Sequence, residues 1–336
     1  MTINSQILLL GATGYLGGSV LVSLKKFDPQ AQFKTIVKSE SQADLVRAAG
    51  AEPIVGSYEN HKLVTDLSAE ADVVINVAEV DDGDLVNALL EGQKQRRAGG
   101  KPAGSFIQLI GINSFLDGSK NGNSNTKAKV WTDSERDIRT LAKSVHHDQM
   151  DGPLVKAAKT VDRLDVNSFI ICPSVIYGAG FGPVRRDSAF FREIINEYSS
   201  RKKAFYVGKG SNVCALVHIA DIVDLVNRVY KLAVEALYGP PLPNPYERYY
   251  IASAASITWK ELAQYFAREL HKRGLVESDD AESVSFENAG QLAPIISSNL
   301  LMQPARALAL GWDPTYTTFV EGAFAEQVDL AVKALK

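Results

Sequence analysis

Residues 11–17 read Gly-Ala-Thr-Gly-Tyr-Leu-Gly, and this stretch decides the fold. It follows an apolar run, Gln6–Leu10, and opens a stretch with apolar residues at helical spacing, Tyr15–Phe27. Between a strand and a helix, such glycines are typical of a turn that holds the pyrophosphate of a dinucleotide, because they permit a tight turn and close approach of backbone. The helix start adds free N–H groups and the positive end of its dipole. The residues predicted to contact the cofactor here are Gly11, Thr13, Gly14, Tyr15, Leu16 and Gly17.

The chain around this turn alternates short apolar runs with longer amphipathic stretches. This alternation predicts right-handed crossovers and a parallel sheet covered on both faces, which binds its ligand at the carboxyl ends of the strands. The predicted strands of this part are Gln6–Leu10, Phe33–Val37, Pro53–Val55, Asp72–Val77, Ser105–Ile110 and Ser168–Cys172. The predicted helices are Tyr15–Phe27, Gln42–Ala49, His61–Ala69, Asp84–Arg97, Asp133–His146 and Pro153–Leu164.

After Gly178 the pattern becomes mixed. Further elements are predicted near Ala189–Lys202, Val213–Val217, Ile219–Leu237, Tyr249–Ala252 and Thr258–Arg273. The expected fold class is α/β, a Rossmann-type doubly wound parallel sheet with a smaller C-terminal substrate lobe. Residues 1–178 are expected to form the NAD(P)-binding domain, with a strand and a helix returning to it from about 213–252, and residues 179–336 to form most of a smaller α/β lobe.

Composition excludes several functional classes. The chain has 336 residues, 36 basic and 39 acidic side chains, a net charge of −3 and two cysteines. The balanced charge gives no electrostatic footprint for nucleic acid, and two cysteines cannot form a disulfide framework. No apolar run approaches the roughly 20 residues of a membrane span, and the N-terminus has no secretory pattern. We therefore expect a cytoplasmic protein with a small-molecule substrate, without nucleic-acid or membrane partners.

A polar segment, Asp117–Lys129, follows the fifth predicted strand. Its glycine, asparagine and serine content is typical of a disordered surface loop. Its place at the carboxyl edge of the sheet also allows a mobile flap over the ligand cleft.

The end of the second strand bears on the choice of cofactor. A free ribose 2′-hydroxyl usually meets an acidic residue here, whereas a 2′-phosphate is better matched by a cation. This chain has Lys38, with Ser39 beside it as a donor. The pair favours NADP(H), and NAD(H) remains the alternative.

Five motifs in this order resemble the extended and atypical short-chain dehydrogenase/reductases of the NAD-dependent epimerase/dehydratase group. They are residues 11–17 (GATGYLG), 76–78 (NVA), 172–178 (CPSVIYG), 216–221 (LVHIAD) and 310–314 (LGWDP). The resemblance implies that Ala78 borders the cofactor and that the turn containing Pro173 and Ile176 lies beside the nicotinamide. Helices on the sheet face commonly pair subunits in this family, so a homodimer is a further expectation.

The family's catalytic Ser/Thr, Tyr and Lys are incomplete. The hydroxyl residue would align near Ile110, where Asn113 and Ser114 are the nearest polar candidates. In the next helix Lys143 is kept, to hold the nicotinamide ribose, but Arg139 occupies the tyrosine position. Arginine cannot act as a general acid near pH 7. The site is thus a degenerate form of the family's.

Other tyrosines and cations supply weaker candidates. Tyr58/Lys62 and Tyr198/Lys202 have the catalytic spacing but lie outside the expected helix. Nucleotide-sugar enzymes of this group commonly have a cation where this chain has Cys214 and Ala215, which disfavours a nucleotide-sugar substrate. Arg185 and Arg186 are alternative sources of positive charge or a solvated helix start.

The histidines and cysteines are assigned structural roles. His146 and His147 point about 100° apart on a helix and cannot converge on one metal ion. His218 and Asp221 are expected to provide a structural hydrogen bond and a helix cap rather than to act as catalysts. Both cysteines, Cys172 and Cys214, are expected to be inert.

Three functions remain open at this point. The first is an NADP(H)-dependent oxidoreductase acting on a small carbonyl or alcohol, with the proton supplied through water by Asn113 or Ser114, or by a tyrosine such as Tyr177. The second is a non-catalytic NADP(H)-binding sensor or regulator. The third is a non-redox isomerase or cyclase with Arg139 and Lys143 as oxyanion stabilisers.

Overall fold

The main sheet is built from runs of apolar residues that are buried on both faces. The structure is a computed structural model that describes residues 4–78, 82–141, 166–240, 242 and 244–335. Within these residues, seven strands pair in parallel throughout. In chain order they are β1 (Gln6–Leu10), β2 (Gln32–Val37), β3 (Ala51–Val55), β4 (Val73–Asn76), β5 (Gly104–Leu109), β7 (Val166–Pro173) and β11 (Tyr249–Ala252).

The strand order in space is β11-β7-β5-β4-β1-β2-β3. The order reverses between β1 and β4, which places a crevice at their carboxyl ends, and ligands of doubly wound sheets bind in this crevice. The glycine-rich turn of residues 11–17 lies at this point. The predicted fold class is confirmed.

Alternation along the strands divides the core in two. Leu8 and Leu10 of β1 belong to one apolar cluster, whereas Ile7 and Leu9 belong to the other. Successive side chains of a strand point to opposite faces, so each cluster fills one face of the sheet. Both faces therefore require a helical layer.

The helices supply these layers. On one side α1 and α7 pack together and add Val20, Leu24 and Ile222 to the cluster of Ile7 and Leu9. On the other side α3 and α4 pack together on the opposite cluster. The bounds are α1 (Tyr15–Phe27), α2 (Glu40–Ala48), α3 (His61–Glu70), α4 (Gly83–Ala98), α5 (Glu135–Leu141), α6 (Ala189–Arg201), α7 (Ile219–Glu235), α8 (Trp259–His271), α9 (Ala293–Ile296), α10 (Ala305–Ala309) and α11 (Glu321–Ala334).

Short strands build the remaining part of the chain. A small sheet has the order β12-β10-β8, and two further pairs join β13 to β9 and β14 to β6. The expected returns to the main layer are made by α7 and β11, whereas the strand between Val213 and His218 belongs to the small sheet. The bounds are β6 (Trp131–Thr132), β8 (Val175–Tyr177), β9 (Phe205–Val207), β10 (Val213–His218), β12 (Ala255–Thr258), β13 (Glu282–Val284) and β14 (Met302–Gln303).

The polar segment 117–129 is held by hydrogen bonds to the C-terminal part of the chain. The carboxylate of Asp117 accepts bonds from the backbone and side-chain amides of Asn299, and Ser297 donates to the carbonyl of Ser119. Farther along, the amide of Ser124 donates to Ser211. These bonds give several polar groups of the segment partners within the protein in place of solvent.

The helix expected over Asp133–His146 begins at Glu135 and is described to Leu141. The expected helix Pro153–Leu164, the pair His146/His147 and the candidate Lys143 lie outside the described residues.

Candidate functional site

The glycine-rich turn is shaped by contacts between backbone atoms. Gly11 has φ of +90°, and a Cβ added there would lie 3.0 Å from the backbone of Val77 and Ala78. A Cβ on Gly17 would lie 2.2 Å from the carbonyl oxygen of Gly11. Larger residues would therefore push the helix away from the turn. The close packing leaves the start of α1, where Gly14 provides no side-chain cap, available to an anion.

Two neighbouring strands brace this turn. The amide of Gly11 donates to the hydroxyl of Tyr58, which follows β3, at 2.9 Å. The buried side chain of Asn76, at the end of β4, accepts a bond from the amide of Ala78 and donates to Gln108. The turn is thus held in its shape by the protein itself.

A cleft of about 410 Å³ opens beside the turn. It extends from the first two glycines across the ends of β2, β3 and β4 to the residues that precede α6. Among the described residues that line it there is no carboxylate. Its lining residues are Gly11, Thr13, Gly14, Ile36, Val37, Lys38, Gln42, Gly56, Ser57, Tyr58, Val77, Ala78, Val184, Arg185 and Ala189.

The other residues predicted at the turn support it from outside this lining. The hydroxyl of Tyr15 donates to the carbonyl of Gly178 at 2.7 Å. Burial, and secondarily the carboxylate of Asp187, raises the pKa of Tyr15 well above its usual value, so this donor stays protonated. Leu16 is half-buried, and Gly17 is buried.

The two candidates at the end of β2 differ in what their side chains do. Lys38 is exposed and lines the cleft, and it has no ion-pair partner among the described residues. Ser39 caps α2, where its hydroxyl accepts a bond from the amide of Gln42 and contacts Ser41. Lys38 is therefore the available cation, and Ser39 is partly committed to the helix.

The turn that the resemblance places beside the nicotinamide continues from β7. Pro173 is buried at the end of β7, in register with Ala252 of β11. Ser174 donates its amide and its hydroxyl to the carbonyl of Ala252. Ile176 of β8 is half-buried and pairs with Val217. Neither Pro173 nor Ile176 lines the cleft beside the glycines.

The residues that follow β5 present few reactive groups. Asn113 and Ser114 begin a short 3-10 turn, Asn113–Phe115, with Asn113 exposed and Ser114 half-buried. Ile110, at the aligned position of the family's hydroxyl residue, is buried and donates its amide to the carbonyl of Ile171. Ser114 is the first residue after this strand whose side chain has a hydroxyl group.

Arg139 is directed to a different contact from the one expected. It forms an ion pair with Glu135 at 2.6 Å, and its guanidinium lies 4.3 Å from the ring centre of Tyr246. This surface contact, beside the turn that precedes β11, leaves the proposed role of Arg139 as an oxyanion stabiliser without support.

The hydroxyl groups of the alternative tyrosines are also engaged in hydrogen bonds within the protein. The hydroxyl of Tyr177 donates to the carbonyl of Thr318 at 3.1 Å, and burial raises the pKa of Tyr177 to about 12. These contacts give no support to Tyr177 as the proton donor, and that role stays a prediction. Tyr198 is buried and donates to the carbonyl of Phe205, while Lys62 pairs with Asp66, so neither lysine-spaced tyrosine forms a catalytic pair.

His218 and Asp221 have the structural roles expected of them. The Nδ1 of His218 accepts the amide of Ala220 at the start of α7, and burial lowers the pKa of His218. The carboxylate of Asp221 accepts the amides of Thr315 and Tyr316. Together they fasten the segment that follows Trp312 to α7.

A second cavity of about 400 Å³ lies beyond the end of β11. Ala215 lines it, next to the buried thiol of Cys214, whose pKa is raised by burial. No charged side chain is among its described lining residues. These residues are Val130, Val213, Ala215, Ser253, Ala254, Ala255, Ser256, Leu300, Leu301, Met302, Gln303, Pro304 and Thr317.

Neither a metal-binding cluster nor a membrane-spanning helix is found in the described part of the chain. There, no cluster of three or more histidine, cysteine or acidic side chains has the geometry to hold a metal ion. No helix of the same residues combines the length and apolar character needed to cross a bilayer.

Two residues of this cleft are not predicted from the sequence as parts of it. The spacing of Tyr58 from Lys62 suggests a catalytic pair, whereas its place after β3 is the signal that puts it beside the turn. The place of Arg185 in the sequence suggests a substrate contact or a solvated helix start. It lines the cleft only because distant parts of the chain come together in the fold, and no local pattern indicates this.

Comparison with known proteins agrees with this geometry at the level of the fold. No family model matches the chain. The protein "Oxidase ucsJ" of Acremonium sp. is 25% identical over 337 residues, which cover 93% of this chain and 93% of the relative.

Solved structures of low sequence identity share the fold. A dTDP-glucose 4,6-dehydratase of Bacillus anthracis in complex with NAD has a TM-score of 0.63 and 16% identity, over 98% of this chain and 97% of its own. A UDP-glucose 4-epimerase of Thermotoga maritima with UDP-glucose has a TM-score of 0.62 and 15% identity, over 98% and 100%. The resemblance expected from the sequence is thus confirmed for the fold.

Proposed function

We propose that this chain binds NADP(H) and transfers a hydride between the cofactor and a small, uncharged organic carbonyl or alcohol. The observation that carries the proposal is the cleft beside residues 11–17. It combines a tightly packed glycine turn, an uncapped helix start and the cation of Lys38. A dinucleotide fits this cradle because its phosphates require N–H donors and positive charge at close range.

The charge of the cleft favours the phosphorylated cofactor. A carboxylate that would bind a free 2′-hydroxyl is absent from the described lining, and Lys38 lies at the end of β2, where the adenosine ribose is expected. The NAD named in the dehydratase structure supports a nicotinamide cofactor in general. The preference for NADP(H) follows from Lys38.

The second cavity supports the proposed substrate class. Its volume of about 400 Å³ suits a small organic molecule, and its described lining offers hydroxyl and amide groups without charge. Cys214 and Ala215 occupy the positions where the resemblance places the cation of nucleotide-sugar enzymes. A diphosphate in this cavity would lack a counter-charge, so an uncharged substrate is favoured.

The chemistry requires a hydride and a proton. When bound, the reduced nicotinamide supplies the hydride. The protein would orient the cofactor through the glycine turn, and a water molecule held by Ser114 or Asn113 would relay a proton from bulk solvent to the carbonyl oxygen. Lys143 would hold the nicotinamide ribose.

A non-catalytic NADP(H) sensor is the second candidate function. Arg139 favours it, because this side chain pairs with Glu135 at the position that the family gives to its proton donor. On this alternative the cofactor binds without turnover.

One experiment separates the candidates. NADPH and NADH are titrated into the full chain by calorimetry, and NADPH oxidation is then followed at 340 nm against a panel of aldehydes and ketones. We expect tighter binding of NADPH than of NADH and turnover of at least one panel compound. Binding without any turnover favours the sensor, and a protein that binds neither dinucleotide would falsify both functions.

Two variants extend the experiment. Lys143→Ala is expected to reduce turnover while the glycine turn still binds the cofactor, and Ser114→Ala tests the proposed path of the proton. Turnover unchanged in both variants would contradict the roles proposed for these side chains.

A further inference from the structure

The segment between β8 and α6 contains an arginine that faces the same cleft as the glycine turn. Arg185 lines the cleft and is exposed. It has no acidic partner among the described residues, whereas its neighbours in sequence are committed. Arg186 donates to the carbonyl of Gly180, and Arg192 forms an ion pair with Asp187 at 2.9 Å.

Backbone contacts hold this segment against the start of α1. A Cβ added to Gly182 would lie 2.7 Å from Cα of Gly18, and the reverse substitution would meet Gly182 at 3.1 Å. The amide of Phe181 donates to the hydroxyl of Ser19 at 3.1 Å. The segment therefore crosses the first turn of α1 in contact with it.

The other end of the segment is also fixed. The carboxylate of Asp187 is buried, and Ser188 caps α6 by accepting the amide of Phe191. Arg185 thus stands between two anchored points, three residues beyond the contact of Gly182 with α1. A long side chain on such a base loses less freedom on binding than one on a free loop.

We propose that Arg185 binds the diphosphate bridge of the dinucleotide, separately from the 2′-phosphate site at Lys38. This inference rests on the proposed function and adds a binding residue to its site. The diphosphate belongs at the first turn of α1, which is the element that the segment of Arg185 touches. Lys38 lies instead at the end of β2, on the adenosine side of the same cleft. A guanidinium can donate two parallel hydrogen bonds to phosphate oxygens, so it complements the amides of the turn.

Fragments of the cofactor test the assignment. Dissociation constants of ADP, adenosine 2′-monophosphate, NADH and NADPH are measured for the full chain and for Arg185→Gln and Lys38→Gln. We expect Arg185→Gln to weaken the binding of ADP, NADH and NADPH by about tenfold each. The dissociation constant of adenosine 2′-monophosphate should stay unchanged. Lys38→Gln should weaken only NADPH and adenosine 2′-monophosphate.

Arg97→Gln is the matched control. Arg97 is exposed in the last turn of α4, at the amino edge of the sheet. Its substitution therefore removes the same charge far from the cleft. All four constants should be unchanged in this variant. Arg185→Lys keeps the positive charge but lacks the two parallel donors of the guanidinium. Its dissociation constants for ADP, NADH and NADPH should therefore lie between those of the wild type and Arg185→Gln, which separates a local contact from a folding defect.

The failures of the two proposals are distinguishable. If the wild type binds no dinucleotide, the proposed function is wrong. If it binds NADPH but Arg185→Gln leaves ADP unchanged, only the role of Arg185 is wrong. If Arg185→Gln weakens NADPH and adenosine 2′-monophosphate while sparing ADP and NADH, Arg185 belongs to the 2′-phosphate and the assignment is overturned.

Discussion

The glycine turn and the stretch that follows β5 lie at the same carboxyl edge of the sheet and are built in different ways. At the turn, backbone atoms make the essential contacts, as between Gly17 and Gly11. After β5, the side chains that could take part in chemistry are bound to other residues of the protein. Asp117 binds the amides of Asn299, and Arg139 pairs with Glu135. The first region leaves an open cleft beside it, and much of the second serves the fold.

The two regions therefore respond differently to substitution. A cradle made of backbone depends on glycines, because any Cβ would occupy the ligand's or the helix's space. A reacting site depends on side chains, which can be redirected by a single new partner such as Tyr246 beneath Arg139. On the proposed function, the arginine at position 139 would therefore leave the backbone cradle at residues 11–17 unaffected.

The largest expected effect comes from breaking the backbone cradle. In Gly17→Ala the new Cβ would lie 2.2 Å from the carbonyl oxygen of Gly11, so the turn or the helix must move. Overpacking of this kind costs about 1–3 kcal/mol, which corresponds to roughly a five- to 150-fold loss of affinity where the ligand needs the original geometry. Calorimetric titration with NADPH measures the loss, and thermal unfolding measures the accompanying fall in Tm.

The control places the same substitution in open space. A Cβ on Gly322, in the first turn of α11, would meet no atom within 4 Å. Gly322→Ala should leave NADPH affinity unchanged and stabilise the helix by up to about 1 kcal/mol. Equal NADPH affinity in Gly17→Ala and the wild type would show that the turn is not the cradle.

A smaller effect is expected at Asp117, which tests whether the stretch after β5 is structural. Burial alone would raise the pKa of Asp117, but hydrogen bonds from Ser119 and Asn299 outweigh it and lower this pKa to about 2. Because the folded pKa lies below that of the unfolded chain, the carboxylate stabilises the fold above about pH 4. This stabilisation is lost as the pH falls from about 4 to about 2.

Asp117→Asn should therefore lower the free energy of unfolding by about 1 kcal/mol at pH 7, a figure that allows for solvent screening at this partly exposed site. The difference from the wild type should shrink as the pH is lowered towards 2. Urea unfolding at several pH values measures it, with Asp66→Asn, at an exposed ion pair with Lys62, as the near-neutral control. A difference that does not change with pH would mean that the charge of Asp117 has no part in holding the segment.

Local pattern predicted most of the main sheet and the glycine turn. The helix Tyr15–Phe27 and the strand Tyr249–Ala252 have the bounds expected from the sequence, because the helix buries one apolar face and the strand is a short run buried throughout. The role of His218 as a helix cap also followed from sequence, since capping is decided within one turn of the helix.

Long-range contacts could not be predicted in this way. The approach of Gly182 to Gly18 and the bond from Gly11 to Tyr58 join distant parts of the chain, and neither has a local signature. Tyr177 is a case in which a local motif suggests a role and a distant contact engages the side chain differently. Its motif suggests a place beside the nicotinamide, but the packed C-terminal segment provides the carbonyl of Thr318 for its hydroxyl.

The smallest expected effect is at Arg139, and it tests the comparison most directly. Arg139→Gln removes an exposed ion pair and a contact with the ring of Tyr246, which together are worth up to about 1 kcal/mol of stability. Because neither contact is with the cofactor cleft, NADPH affinity and turnover of the best panel compound should both stay within about twofold of wild type. Arg185→Gln removes the same charge and should weaken NADPH about tenfold, so the two variants together separate surface charge from site. A tenfold loss of turnover in Arg139→Gln with NADPH affinity retained would return Arg139 to the reacting groups, and the stretch after β5 would then be catalytic in spite of its structural contacts.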